Sequence, residues 1–434
     1  MVKISIHGSQ LGGTVRCPSS KSYTHRAVFL AALSEGESRI YDPLISRDTL
    51  SSISTCGALG PEILYEGSSL RVIGTQLKAP DTVIDSGNSG TTIRIAISVC
   101  SLIESGYSVL TGDCSLRTRP MGPLLSSLRS LGVDCFSTKL DGTAPIVVKG
   151  GGMNGGNVTI NGSISSQFVS SLLIAAVRAT NDVSIGVEGD QVSRPYILST
   201  LATMEKFGIN VKHDYELRNF NVKSSRYTPG IFHVPSDLSS ASMLVAAGIL
   251  VGKDKIQLSG LNFGLPQGDS KIFNIVEQMN GRVVVDRVGG KLLVEESEKL
   301  EGGEFNLRDS PDLLPVVSIL ALKAKSPVVI NGISHARFKE TDRVSNISTE
   351  LRKLGATVDE THDSIAIQSP AVLKNASLES FDDHRLFMAL SIASLLTDHS
   401  TVNGAESVDV SYPSFLDDLT KMGANISICS DENG

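Results

Sequence analysis

Lys21, Ser22 and Arg26, in the segment SSKSYTHR, stand at the entrance to a long run of small and apolar residues, and entrances of this kind recur along the chain with other polar groups. A helix N-terminus presents unpaired backbone N–H groups and a partial positive charge, so each such entrance is suited to holding an anion. Lys21 and Arg26 are five residues apart, so as helical residues they diverge around the first turn and a half and address two different anionic groups. Lys-Ser also occurs in the phosphate-binding loop of nucleotide hydrolases, but that loop needs glycines before the lysine, and Arg16 to Ser20 contains none.

The other entrances carry different chemistry. In DSGNSGTTIR, Asp85 to Arg94, Gly87 and Gly90 let backbone approach a ligand, Asn88 and Thr91 offer hydrogen bonds, and Arg94 falls in an otherwise apolar run. LRTRPM adds Arg117 and Arg119. GSISSQF places Ser165, Ser166 and Gln167 at a helix start, where consecutive hydroxyls suit phosphate, and RDSPDLLP sets Asp312 directly before an apolar run. RFKETDR gathers Arg337, Lys339, Glu340, Asp342 and Arg343; as a helix it puts Lys339 and Arg343 on one face and Glu340 on another. FDDHR places His384 and Arg385 before LFMALSIASLL, a pair with little structural reason to stand at the mouth of a buried helix. Ordinary explanations stand beside these: a solvated Lys21, a capped turn at Asn88, solvated loop arginines, serine capping at Ser165, an N-cap at Asp312 and an exposed salt-bridged turn at RFKETDR.

The elements that position these groups follow from internal repetition. A helix-like pattern ending in an apolar residue, a glycine and a new strand recurs six times, at Gly60, Gly132, Gly208, Gly281, Gly355 and Gly423. Each glycine suits the left-handed position that ends a helix. In phase with it, a strand ends in a Ser/Asp/Gly-rich turn and a helix begins that is apolar nearly all round, which implies burial. Each start offers Ser, Asp or Asn for the N-cap. With β-type segments such as NVTIN and KIQLSG between, the unit reads β-α-β-α-β-β. Six copies predict an α/β fold of two domains, each of three units with helices inside and sheets outside; one doubly wound sheet of six α/β units is the alternative.

Composition excludes several classes. The 434 residues exceed one ordinary core, and a net charge of -7 with 5% aromatics and no tryptophan argues against nucleic acid or an anionic membrane as a general partner. Bound anions must then be met by local clusters of Lys and Arg. No apolar run reaches the roughly eighteen residues that span a bilayer. Met1 to His7 alternates as a strand does and lacks a signal pattern, so the expected location is cytoplasmic. Six cysteines with no C-x-x-C pair, and no His pair at metal-ligand spacing, predict buried or half-buried free thiols in a reducing compartment, with no metal and no cofactor.

Taken in order, KSYTHR, NSGTTIR, SSQF, SRPY, KETDR and SYPSF resemble the enolpyruvyl transferase family across the whole chain. The resemblance implies an inside-out α/β barrel architecture: a discontinuous first domain of residues 1–18 and 230–434, a second of 19–229, and ligands held in a cleft between domains that close. It implies transfer of the enolpyruvyl group of phosphoenolpyruvate to the 5-hydroxyl of shikimate 3-phosphate, on the route to aromatic amino acids, by a monomer. Shikimate 3-phosphate is expected on Lys21, Ser22, Arg26, Ser165, Ser166 and Gln167, with Ser193, Tyr196, Asp312 and Lys339. Phosphoenolpyruvate is expected on Lys21, Gly90, Arg119, Gln167, Arg343 and Arg385. Lys21, Asp312 and Glu340 are implied as the principal catalytic groups, supported by Asn88, Arg94 and His384.

Two places depart from the family pattern. Val410 stands where members often carry a lysine before the Ser-Tyr-Pro motif, and His335 stands where some carry asparagine. Three other readings compete. A transferase acting on UDP-N-acetylglucosamine carries Lys-Asn and a catalytic loop cysteine, whereas here Lys21-Ser22 and an arginine-rich loop near Cys114 occur. A nucleic-acid end-processing protein built of related repeats would bind heparin at low salt. A non-catalytic scaffold has no need of cations and carboxylates at helix starts.

Overall fold

The computed structural model describes residues 1–429 and divides into two compact units, one of Met1–Pro18 with the chain from Ser236 onward, the other Ser19–Pro235. The second crossing falls after Pro235, later than the 229/230 expectation, because the strand Ile231–His233 pairs in parallel with Gly36–Tyr41 and so stays with the 19–235 unit.

Each unit contains three four-stranded sheets among the described residues. Gly156–Asn161 pairs in parallel with Val183–Glu188, which pairs antiparallel with Asn219–Val222, which pairs antiparallel with Lys212–His213. The parallel pair requires a crossover, and the helix Ser166–Ala176 supplies it. The same order recurs in Gly303–Asn306, Val328–Asn331, Ser364–Gln368 and Thr357–Glu360. In the unit containing both termini the pattern closes across the sequence: Lys3–His7 lies between His399–Asn403 and Asn425–Ile428.

The crossover helices form the interior. Leu238–Val251 is buried at every position and packs on the helices Leu314–Leu320 and His384–Ser394. Helix Gly90–Cys100 packs on Ser166–Ala176 and on Lys21–Leu33, which is buried from Tyr23 to Leu33. Burying a Leu, Ile, Val or Phe side chain contributes roughly 1.5–3 kcal/mol, so a helix apolar all round is stable only inside. At Gly248 the packing is close enough that a Cβ would lie 2.7 Å from Val294 Cγ1. No helix among the described residues is long and apolar enough to cross a membrane.

Five of the six repeat glycines take the left-handed conformation: Gly60, Gly132, Gly208, Gly355 and Gly423. The exception is Gly281. There Asn280, at φ 62°, ends the helix, as asparagine tolerates that region; Gly281 remains small because a Cβ would lie 2.6 Å from Val276 Cγ1.

Candidate active site

In the 19–235 unit the predicted residues gather at the starts of helices Lys21–Leu33, Gly90–Cys100 and Ser166–Ala176. Lys21 Nζ lies 2.7 Å from Asp48 Oδ2. Arg94 donates to Gln167 Oε1 at 2.7 Å and to Ser165 Oγ at 3.3 Å, with its guanidinium 5.0 Å from the centre of the Phe168 ring. Gln167 in turn donates to Thr91 Oγ1 at 3.0 Å. Arg119 donates to Asn88 Oδ1 at 3.0 Å, and Asn88 donates to Asp113 Oδ2 at 2.7 Å. Gly90 sits among these groups, and a Cβ there would approach Arg119 Nη1 to 2.9 Å. Of the two loop arginines, Arg119 turns inward and is buried while Arg117 is exposed.

Ser165 caps its helix by accepting from Gln167 N, and Ser166 is buried beside it. Ser193 precedes helix Arg194–Lys206 at φ 55°, a conformation that costs a non-glycine residue energy and that local structure must hold. Arg26 does not diverge toward a separate anion. Its three nitrogens donate to Thr200 Oγ1, Ser22 O and Tyr196 O at 2.8, 2.7 and 3.0 Å, because burial forces a guanidinium to find protein partners. The same burial pushes its pKa down to about 10.

In the other unit Arg343 is the hub. It is fully buried and donates through Nε to Asp383 Oδ2 at 2.7 Å, through Nη1 to Asp312 Oδ1 at 2.8 Å and through Nη2 to Glu340 Oε2 at 2.6 Å. Lys339 Nζ lies 3.5 Å from Asp312 Oδ1, and Arg385 Nη2 lies 3.7 Å from Asp312 Oδ2 and 3.9 Å from Asp237 Oδ2. His384 is buried beside Arg385 at the start of its helix. Burial works against the Arg343 charge, but Asp383, Glu340 and Asp312 outweigh it and hold the guanidinium firmly protonated. Asp269, hydrogen-bonded by Ser239, is pushed up to about 6 by burial and by the nearby Asp312.

Two local expectations are corrected. Lys339 and Glu340 are not helical: helix Arg343–Lys353 begins after Asp342, whose side chain accepts from Ser345 N and so sets the helix start there. Glu340 therefore folds back onto Arg343 instead of pointing elsewhere. Asp312 is no N-cap; it lies inside the short turn Pro311–Leu313 and spends its oxygens on cations from other segments.

Asp48, His25, Asp383, Asp237 and Asp269 belong to these clusters and were not singled out from sequence. Asp383 and Asp237 had a signal, standing at the polar starts FDDHR and VPSDLSS. Asp48 lies in the first turn of a helix capped by Ser46 and Thr49, which reads as ordinary capping. The cysteines are free; Cys17, Cys56, Cys100 and Cys135 are buried, but Cys114 is exposed, contrary to expectation, because it lies in the loop before Arg117. Val410 is buried in the turn Ala405–Val410. Among the described residues no group of three His, Cys, Asp or Glu side chains is placed to hold a metal.

A family profile described as EPSP synthase (3-phosphoshikimate 1-carboxyvinyltransferase) matches residues 6–419. A curated 3-phosphoshikimate 1-carboxyvinyltransferase of Nitrosopumilus maritimus is 42% identical over 98% of this chain and 99% of its own length. That of Methanothermobacter thermautotrophicus is 44% identical over 96% of this chain and 97% of its own. Among solved structures, EPSP synthase from Acinetobacter baumannii superimposes with a TM-score of 0.83 at 25% identity, covering 99% of this chain and 100% of that one. The inside-out arrangement of buried helices and outer sheets, the ordered motifs and the full-length similarity agree, and this chain belongs to the EPSP synthase (3-phosphoshikimate 1-carboxyvinyltransferase) family.

Proposed function

We propose that this chain transfers the enolpyruvyl group of phosphoenolpyruvate to the 5-hydroxyl of shikimate 3-phosphate and releases phosphate. The observation that carries the reading is the pair of carboxylates, Asp312 and Glu340, held on one buried cation, Arg343. It occurs in a chain 42% identical end to end to a curated transferase of that name.

The reaction is addition followed by elimination. The acceptor hydroxyl attacks C2 of the enol phosphate as C3 gains a proton; the C2–O bond to phosphate then breaks as C3 loses a proton. Asp312 takes the hydroxyl proton, Glu340 serves C3 in both directions, and Lys21 assists the departing phosphate. Both substrates are polyanions, so bringing them together requires fixed cations, and arginine matches phosphate and carboxylate with two parallel hydrogen bonds. Lys21, Arg119, Arg343 and Arg385, with the Gly90 backbone and Gln167, are assigned to phosphoenolpyruvate. Ser165, Ser166, Gln167, Ser193 and Lys339 are assigned to the acceptor and its phosphate, with Lys21, Ser22, Tyr196 and Asp312; Arg26 holds the Ser22 and Tyr196 carbonyls in place. Asn88, Arg94 and His384 support the charge that develops. The two clusters are assigned to one turnover by a cytoplasmic monomer, and free cysteines support a reducing compartment.

The test is phosphate release from phosphoenolpyruvate with each acceptor in turn. Release with shikimate 3-phosphate, lost in Lys21→Met, is expected. Release with UDP-N-acetylglucosamine alone overturns the acceptor, and release with neither overturns the reaction.

A further inference from the structure

We propose that His25 is a positioning residue: a one-way chain of buried hydrogen bonds, Ser89 to Thr92 to Ser52 to His25, turns the ring so that its Nε2–H faces Asp48 and biases that carboxylate toward Lys21. The inference deepens the reading above, since it rests on Lys21 being a working group.

The geometry is continuous. Ser89 Oγ lies 2.6 Å from Thr92 Oγ1, Thr92 Oγ1 lies 2.7 Å from Ser52 Oγ, and Ser52 Oγ lies 2.8 Å from His25 Nδ1. On the far side of the ring, His25 Nε2 makes no hydrogen bond among the described residues but faces Asp48 Oδ2 at 3.6 Å, an electrostatic contact with the oxygen that Lys21 Nζ meets at 2.7 Å. His25, Ser52 and Thr92 are wholly buried, and Ser89 and Asp48 nearly so. The chain joins three helix starts: Ser89 caps Gly90–Cys100, Asp48 lies in the first turn of Arg47–Ala58, and Lys21 opens the third.

The direction of the chain follows from charge and from the number of protons. A lone pair on Nε2 would face a carboxylate, so Nε2 carries the proton and Nδ1 accepts. Ser52 must then donate to Nδ1, which leaves its oxygen to accept from Thr92, and Thr92 to accept from Ser89. Ser89 Oγ itself accepts from Thr92 N at 3.1 Å. Every hydroxyl donates once and accepts at least once, and all the dipoles point toward Asp48. In the reverse direction Ser89 ends the chain as a donor with no acceptor beyond Thr92 among its described hydrogen bonds. Aligned bonds of this kind reinforce one another in a low-dielectric interior.

The electrostatics agree. Burial lowers the His25 pKa and keeps the ring neutral; Asp48 acts against this, and Lys21 and Arg26 add to the lowering. Burial alone would raise Asp48, but Lys21 and His25 outweigh it and hold the carboxylate well below its ordinary range. A neutral imidazole whose Nε2–H faces Asp48 thus adds a favourable dipole to the carboxylate without competing for the Lys21 charge.

Nitrogen NMR of the imidazoles reads the tautomer directly, with His25 assigned by the signal lost in His25→Phe. The expected result is a neutral ring protonated at Nε2; a ring protonated at Nδ1, or at both nitrogens, overturns the proposal. In turnover, His25→Phe should lower kcat about tenfold, the scale of one hydrogen bond to a charged group, with both KM values little changed. His25→Gln, whose amide can still donate to Asp48, should recover most of it. Wild-type kcat in His25→Phe overturns the proposal. Should that variant not fold, Ser52→Ala is read instead: loss of the Nδ1 donor should mix the tautomers, and an unchanged NMR signal counts against the chain. A protein with the expected tautomer but no transferase activity would sink the reaction reading and, with it, any role of His25 in turnover, while the direction of the hydrogen-bond chain would stand.

Discussion

Arg343 donates to Asp312 at 2.8 Å and to Glu340 at 2.6 Å, so the two carboxylates proposed to move protons share one buried guanidinium. A third carboxylate, Asp383, takes the remaining nitrogen and also accepts from Arg385 N at 2.8 Å, which ties the hub to the start of helix His384–Ser394. A lysine at 343 is a point charge without the planar fork and cannot satisfy three carboxylates held in fixed directions. Arg343→Lys should therefore cost roughly 3–5 kcal/mol of stability, the scale for breaking a buried ion pair. It should also lose nearly all turnover. Urea unfolding and phosphate release measure the two effects.

Glu340→Gln keeps shape and a hydrogen-bonding oxygen for Arg343 but cannot exchange a proton at C3. Turnover should be abolished while the affinity for each substrate, measured by calorimetry, changes only a few-fold. Normal turnover would remove Glu340 from the mechanism.

Gly90→Ala tests the crowding at the second cluster. The added methyl would lie 2.9 Å from Arg119 Nη1, the end of a side chain that can shift but is also held by Asn88. On the proposed assignment, a displaced Arg119 loses its approach to phosphoenolpyruvate. The KM for phosphoenolpyruvate should rise about tenfold, as for one lost bond to a charged group, while that for shikimate 3-phosphate stays nearly constant. A change confined to the acceptor KM would contradict the assignment.

His335 gives stability a pH dependence. It is buried, neither ring nitrogen has a hydrogen-bond partner among the described residues, and burial, aided by Lys339, pushes its pKa from 6.5 down to about 4. The unfolded chain thus takes up a proton that the folded chain refuses, and stability is lost as pH falls from 6.5 through 4, by at most about 3 kcal/mol. Asp269 acts oppositely: its carboxyl, raised from 3.8 to about 6, contributes stability below 3.8 that is lost as pH rises through 6. The two effects nearly cancel in the parent chain, so urea midpoints across this window should fall with rising pH in His335→Asn and climb with rising pH in Asp269→Asn. Parallel curves for all three would refute the account.

The repeat, the buried helices and the polar groups at their starts are all legible along the sequence. These are local matters: a helix apolar all round has to be covered, a glycine or asparagine has to end it, and a Ser or Asp has to meet its first N–H groups. Hence Lys21, Gly90, Ser165 and His384 were legible as helix-start residues. Which starts meet and which charges pair depends on how the helices pack. Arg94 and Gln167 are separated by 73 positions, Arg343 and Asp383 by 40, and no local pattern specifies either pair. The same holds for Asp48 and His25, whose roles exist only because packing brings a second helix start against Lys21. Burial is the physical reason: inside the protein each charge must find a partner or be neutralised, and the identity of that partner is set by how the helices pack.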